Sequence, residues 1–309
     1  MKQLLLLLAL AGILSLGSAI ATFISPQPFA LQYLLQKGEC LGCELEGASI
    51  QGLNFHFSQL KGANLKNIHG KGTSFEGANC SQTQWQKSKL QYADFRVANL
   101  TDASLQNADL MLANLQGANL TRANLKHANL QGAKFQAAQM VNGNFQGANL
   151  AYANLEGANL ANAELTNSRL TGAILRGANL QGAILEKADF EKANLAGANL
   201  QGANLTLTNF KKANLSDTYL GGAILEQTNL ENAFLERACL ASQKCTLKTP
   251  AASSYSKGAT LRGVNLKGAH LEGANFQGME GEYISWETIQ LCNTILPNGS
   301  ISDRDCTNR

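Results

Sequence analysis

Apolar residues recur along this chain with a period of five. In the stretch GANLTRANLKHANLQGAKF, residues 117–135, Leu120, Leu125, Leu130 and Phe135 each follow a pair such as Ala-Asn or Ala-Lys. From Leu45 to Leu240 every fifth residue is apolar or Cys, with Gly70 the one exception, and Cys245 closes the series. A helix advances about 100° per residue, so residues five apart scatter around its axis. A strand alternates sides, so residues five apart point in opposite directions. Neither element gathers these leucines into one core. A coil with straight sides about five residues long does so, because each corner resets the direction. A unit this short buries its apolar side only by stacking on copies of itself. The pattern predicts a solenoid.

The position two before each apolar centre is predominantly Ala, as at every site from Ala93 to Ala138. Centre and minus-two lie on the same side of an extended segment, so both should point inward, and a narrow interior leaves room for a methyl group beside each Leu. The minus-one position points outward and is usually Asn, as at Asn114, Asn119, Asn124 and Asn129.

Tandem A-[ND]-L-x-x over about three quarters of the chain resembles the pentapeptide-repeat proteins. That resemblance implies an all-β fold, a right-handed quadrilateral β-helix with four pentapeptides, or about 20 residues, per coil. Strands stacked ~4.8 Å apart would make the ten or so coils a rod of roughly 50 Å. A repeat of this length places Phe55, Phe75, Phe95 and Phe135 on one interior side. The first three should form an aromatic ladder, with Leu115 between Phe95 and Phe135, and Trp85 and Phe145 should belong to another side.

The ends depart from the pattern. Residues 1–21 read as a signal peptide: Lys2, an apolar run from Leu4 to Leu16, and the small-x-small site Ala19-Ile20-Ala21. Cleavage after Ala21 starts the mature chain at Thr22 and leaves no membrane span; the competing reading is an uncleaved N-terminal anchor. The expected destination is the periplasm or thylakoid lumen. Residues 22–40 form an N-terminal cap segment in which Phe29, Leu31, Leu34 and Leu35, ended by Gly38, predict a short cap helix from Pro28 to Lys37. The solenoid spans 41–245. Residues 246–258, polar with Pro250, predict a surface loop. Centres Leu261, Leu266, Leu271 and Phe276 give a final coil at 259–278, and 279–309 leave the repeat as a C-terminal cap with a turn at Pro297-Asn298-Gly299.

Seven cysteines in an exported chain suggest local disulfides: Cys292–Cys306, Cys239–Cys245 and Cys40–Cys43, with Cys80 an inward-facing thiol. C-x-x-C is also a redox motif, but ECLGC runs straight into the first coil. The ends, an N-terminal C-x-x-C and a C-terminal LPNGS…DC, resemble those of exported cyanobacterial and thylakoid-lumen pentapeptide-repeat proteins.

Charge narrows the function. The chain has 25 basic and 22 acidic residues, for a net charge of +3, and no long run of one sign. Between Leu41 and Cys245 there are 17 Lys or Arg against 15 Asp or Glu. That balance gives no footprint for nucleic acid. His56, His69, His127 and His270 are isolated, with no metal-ligand spacing. Asp94 and Asp109 fall at outward sites suited to corner hydrogen bonding. The expectation is a non-enzymatic interaction or scaffold rod with a protein partner, no cofactor, no metal and, with both ends capped, a monomer. The alternative is a DNA-mimicking, gyrase-binding pentapeptide-repeat protein, a role that needs an acidic surface.

Overall fold

The computed structural model describes residues 29–241, 258–282, 284, 286, 289 and 291–306. The signal-peptide reading and most of the predicted loop lie outside the described residues.

Each pentapeptide makes one short extended segment and one corner. The corner is a β-turn closed by the minus-two N–H donating to the preceding centre's carbonyl, as from Ala93 to Leu90 at 3.0 Å and from Ala118 to Leu115 at 3.1 Å. Its plus-two residue has positive φ, 65° at Gly117 and 57° at Arg122. That is the signature of a type II turn. Four such corners bring the chain back over itself. Parallel bridges therefore join residues twenty apart, as in Asn79↔Asn99↔Asn119↔Gln139.

The backbone N–H groups of one pentapeptide can be accounted for one by one. The minus-two N–H closes the turn. The minus-one N–H donates to the preceding coil, as from Asn119 to Ala98 at 2.9 Å. The centre and plus-two N–H groups donate to the next coil, as from Leu100 to Asn119 at 2.7 Å and from Gly117 to Gln136 at 3.0 Å. The plus-one N–H is left over, and the minus-one side chain meets it. Thr121 N donates to Asn119 Oδ1 at 3.0 Å, and Ser216 N to Asn214 Oδ1 at 2.9 Å. Asn is therefore selected outward because it completes the corner. Asp94 and Asp109 do the same for Arg96 N at 3.0 Å and Met111 N at 3.2 Å.

Centres and minus-two residues fill the interior. Phe55 and Phe75 stack at 5.5 Å and 19°, and Phe75 and Phe95 at 4.9 Å and 12°. Phe135 is buried on the same side, one coil beyond the buried Leu115. Trp85 comes from the opposite side, shared with Phe145, and meets Phe75 and Phe95 edge-on across the interior at 5.0 and 5.7 Å. Its indole donates to Thr83 Oγ1, which in turn donates to the Cys80 carbonyl, both at 2.5 Å. A further stack, Phe190 on Phe210 at 5.0 Å, occupies another side. Gly70 has a steric reason: a Cβ there would lie 3.1 Å from Leu90 and 3.4 Å from Ile68, whose side chain fills the space.

At the N-terminus a helix, α1 (Phe29–Lys37), ends at Gly38, with φ of 69° and its N–H donating to the Leu34 carbonyl. This is the left-handed C-terminal stop expected of glycine. Leu31 and Leu34 are buried against the first coil, whereas Phe29 and Leu35 are 83% and 50% exposed. Only half of the expected apolar face therefore faces the core.

Beyond the insertion the coil resumes with Ile224↔Thr260 through Cys239↔Asn275, a spacing of 36 in place of twenty. Strand β1 (Thr260–Arg262) pairs in parallel with β2 (Glu280–Glu282), and Asn275 bridges Ile295, both at the twenty-residue spacing. The sequence past 278 was expected to leave the repeat. Its side-chain pattern does, but parts of its backbone stay in register as a further layer. Strands β3 (Thr294–Ile295) and β4 (Ile301–Ser302) form an antiparallel hairpin whose turn is closed by Gly299 N donating to Leu296 O at 2.8 Å. Trp286 meets Phe276 edge-on at 5.3 Å, and Arg304 donates to the Trp286 carbonyl at 2.7 Å.

Candidate interaction surfaces

With the interior filled, the chemistry open to other molecules lies on the four sides and their corners. The sides differ in how their outward residues bond to each other. On the side holding Asn79, Asn159, Asn179 and Asn199, each amide donates to the coil before it, as from Asn179 to Asn159 and from Asn199 to Asn179 at 3.1 Å. On the side of Asp189, Asn209 and Asn229, similar bonds run at 2.8 and 3.0 Å. These ladders tie up their own donors.

Among the described residues, the side that backs the aromatic ladder has no amide ladder. Its outward residues, from Asn54 through Asp94, Lys134, Ile174, Asn194 and Asn214 to Phe234 and His270, vary in size and charge. Near its C-terminal end this unevenness makes a groove of 380 Å³. Ala193, Asn194 and Asn214 form the floor, Lys192 and Lys212 one wall, and Ser216, Glu236 and Arg237 the other. Phe234 closes the end, 41% exposed, its ring stacked on His270 at 4.8 Å and 14°.

The corners carry two recurrent devices. Charges twenty apart pair across adjacent coils: Arg122 with Asp102 at 2.7 Å, Arg237 with Asp217 at 2.5 Å and Lys211 with Glu231 at 3.1 Å. The hydrogen bond from Arg122 holds the Asp102 carboxyl below its ordinary value. Large side chains also lean over a glycine on the next coil, Phe57 over Gly77, Leu112 over Gly132 and Tyr152 over Gly172; a Cβ at each of these glycines would come within 2.8 Å of that neighbour.

The family profile described as pentapeptide repeats matches residues 35–67, 78–117, 108–147, 138–177, 173–211, 208–241 and 257–278. The chain is a pentapeptide-repeat protein. Members fold as right-handed quadrilateral β-helices, the architecture of the stacked coils here. HetL, a pentapeptide repeat protein involved in heterocyst differentiation regulation from the cyanobacterium Nostoc sp. strain PCC 7120, is 25% identical. That match covers 88% of this chain and 97% of HetL, with a TM-score of 0.54. A pentapeptide repeat protein from the Arabidopsis thaliana thylakoid lumen is 24% identical over 36% of this chain and 86% of its own, with a TM-score of 0.31. QnrB1, a plasmid-mediated fluoroquinolone resistance protein, is 18% identical over 74% of this chain and 91% of its own, with a TM-score of 0.33. No curated protein sequence matches the chain.

The pentapeptide-repeat rod keeps its histidines apart. His56 approaches Glu76 at 3.7 Å, His127 leans over Gly147, His270 stacks on Phe234, and His69 sits outward on the side of Asp109. Among the described residues no His, Cys, Asp and Glu group is arranged to hold a metal ion, and no helix is long and apolar enough to cross a membrane. Cys40 is bonded to Cys43 and Cys292 to Cys306, with Cα separations of 5.4 and 4.7 Å. Cys245 lies outside the described residues, and with it the Cys239–Cys245 pairing. Cys80 is a buried free thiol, and burial pushes its pKa up. Sequence reasoning missed the groove. Its one sequence signal is the aromatic Phe234 at a minus-one site, a position most often held by Asn.

Proposed function

We propose that this protein is an exported, non-enzymatic scaffold rod that works by holding a protein partner against its sides. The observation that carries this reading is the contrast between ends and sides. Helix α1 covers one end and the Cys292–Cys306 hairpin the other. The sides stay open and display a rigid lattice of outward groups in fixed register. Capped ends also favour a monomer, since exposed coil edges are what drive end-to-end association. Export to a periplasm or thylakoid lumen is supported by the N-terminal Lys2-to-Ala21 pattern and by the two disulfides, which persist in oxidising compartments. The DNA-mimicking alternative asks for an acidic surface. The rod's 17 basic and 15 acidic residues, several of them paired coil to coil, supply none.

The test is affinity capture of the tagged mature protein from fractionated cells of its own source. A protein partner recovered from the exported fraction is expected. Recovery of gyrase, or inhibition of its supercoiling by the mature chain, would contradict the proposal.

A further inference from the structure

The groove beside Phe234 is rich in donors and poor in acceptors. Asn214 Oδ1 accepts the Ser216 N–H at 2.9 Å and Asn194 Oδ1 accepts the Ala196 N–H at 3.2 Å. These bonds fix both amide orientations, so each Nδ2 points away from the backbone. Among the described residues neither Nδ2 has a partner, unlike those of the ladders on neighbouring sides. Lys192 and Lys212 add two ammonium groups; Lys192 meets Glu191 at 3.4 Å, and Lys212 makes no side-chain hydrogen bond or ion pair among the described residues. Arg237, held by Asp217 through two nitrogens, adds a guanidinium whose position is set. Glu236 is the one carboxylate of the lining, and it already accepts from Ser216 Oγ at 2.7 Å. The Phe234 ring stands proud of this floor, its other face covered by His270.

From this geometry we propose that the groove receives an acidic, extended segment of the partner protein, with a carboxylate between Lys192 and Lys212 and an apolar or aromatic side chain against Phe234. The assignment rests on the scaffold reading above and names the chemistry of its partner. Complementarity supports it: Lys192 and Arg237 keep Glu191 and Asp217 as counter-ions, but among the described residues the Lys212 ammonium and the two amide Nδ2 groups are left as open donors. Carboxylates accept from ammonium, guanidinium and amide N–H groups alike, and such charge-assisted bonds are the stronger kind. Size agrees as well. The groove crosses three coils, about 10 Å between the outer two at ~4.8 Å spacing, which is the length of roughly three extended residues. Its open form suits a segment laid across a surface better than an engulfed small molecule.

The probe is a fluorescein-labelled octapeptide alternating Glu and Leu around a central Phe, with a Lys-for-Glu version as its control, titrated into the mature protein. The acidic peptide is expected to bind and the basic one not. Raising ionic strength from about 0.01 to 0.15 M shortens the Debye length from ~30 to ~8 Å and should weaken binding several-fold. The double variant Lys192→Glu/Lys212→Glu should lose about tenfold in affinity, Phe234→Ala should lose less, and Lys61→Glu/Lys66→Glu, elsewhere on the rod, should bind as the parent does. Lys192→Gln/Lys212→Gln, with an unchanged thermal melt, guards against misfolding. Failure of the acidic peptide to bind, parental affinity in the Gln variant, or competition by inorganic phosphate as effective as the unlabelled peptide would overturn the assignment. If capture yields a partner that ignores these substitutions, the groove assignment falls and the scaffold reading stands. If the peptide binds and capture yields no partner, the scaffold reading falls instead.

Discussion

The coils from Ile50 to Phe95 and those from Ala98 to Leu205 share one backbone but fill it differently. In the first group the centres include Phe55, Gly70, Phe75, Cys80, Trp85 and Phe95, and the minus-two sites include Ser58, Ile68, Thr73, Thr83 and Ser88. In the second, Leu and Ala dominate both series. Apart from Leu53, which is partly buried near the N-terminal end, both groups bury their centres and minus-two residues, because the irregular layers compensate locally. Ile68 fills the space left by Gly70, and Thr83 gives Trp85 a hydrogen-bond partner. Polar minus-two residues return their protons to carbonyls, as Thr73 does to Ile50 and Ser88 to Leu65, both at 2.7 Å. Gly143 is the counterpart within the regular group: a Cβ there would lie 2.7 Å from the Phe145 ring. What the fold preserves is the volume and hydrogen bonding of a layer, and no single residue identity is required for that.

This comparison can be broken at graded cost. Leu160→Lys places an unpaired ammonium in the fully buried, uniform part of the rod. Loss of more than ~4 kcal/mol, or failure to fold, is expected in denaturant titration; a parental transition would contradict the dry interior. Replacing Cys292 and Cys306 by Ser opens a 14-residue loop. The chain-entropy argument gives ~3 kcal/mol, and the effect should be confined to the C-terminal layer. Hydrogen exchange should rise at residues 258–306 and stay unchanged at 98–205. Gly143→Ala should cost ~1–3 kcal/mol by overpacking, and adding Phe145→Leu should recover most of it. If the two substitutions prove additive, the layer-compensation idea fails. The smallest expected effect is at the corners. Gly157→Asn, with open space around it, should change stability by less than ~0.5 kcal/mol, because Asn tolerates positive φ. Gly172→Asn meets the Tyr152 ring at 2.7 Å and should cost about 1 kcal/mol more, read by thermal melts of the pair.

Much of the interior was legible because it is periodic. Spacing by twenty assigns Phe55, Phe75, Phe95 and Phe135 to one side, and the same arithmetic holds for Phe190 and Phe210, a pair the reading passed over. The role of Asn at minus-one was legible only as outward. That it completes the corner N–H required an account of every backbone donor. The C-terminal layer was hidden because its register is carried by backbone bonds from Gly273, Phe276 and Gly278 to residues nineteen ahead, with no repeated side chain to mark it. Helix α1 lies where its spacing predicts, but its buried face is narrower: Phe29 and Leu35 share the near-helical spacing, yet a helix lying on a flat coil end buries a narrow stripe, here Leu31 and Leu34. The groove was not legible, since it depends on the relative height of Phe234, Asn214 and Lys212 across three coils.

The twenty-residue coil is the claim beneath all of this, and paired cysteines test it most directly. Asn99 and Asn119 are bridged partners on one side, whereas Asn114 bridges Asp94 on another. Stacked partners lie ~4.8 Å apart, inside the Cα range of about 4.4–6.8 Å that a disulfide spans. In the oxidised protein, Asn99→Cys/Asn119→Cys should cross-link within the chain while Asn99→Cys/Asn114→Cys stays reduced, as read by peptide mass spectrometry without reduction. The opposite outcome, a bond in the second pair and none in the first, would contradict the square coil.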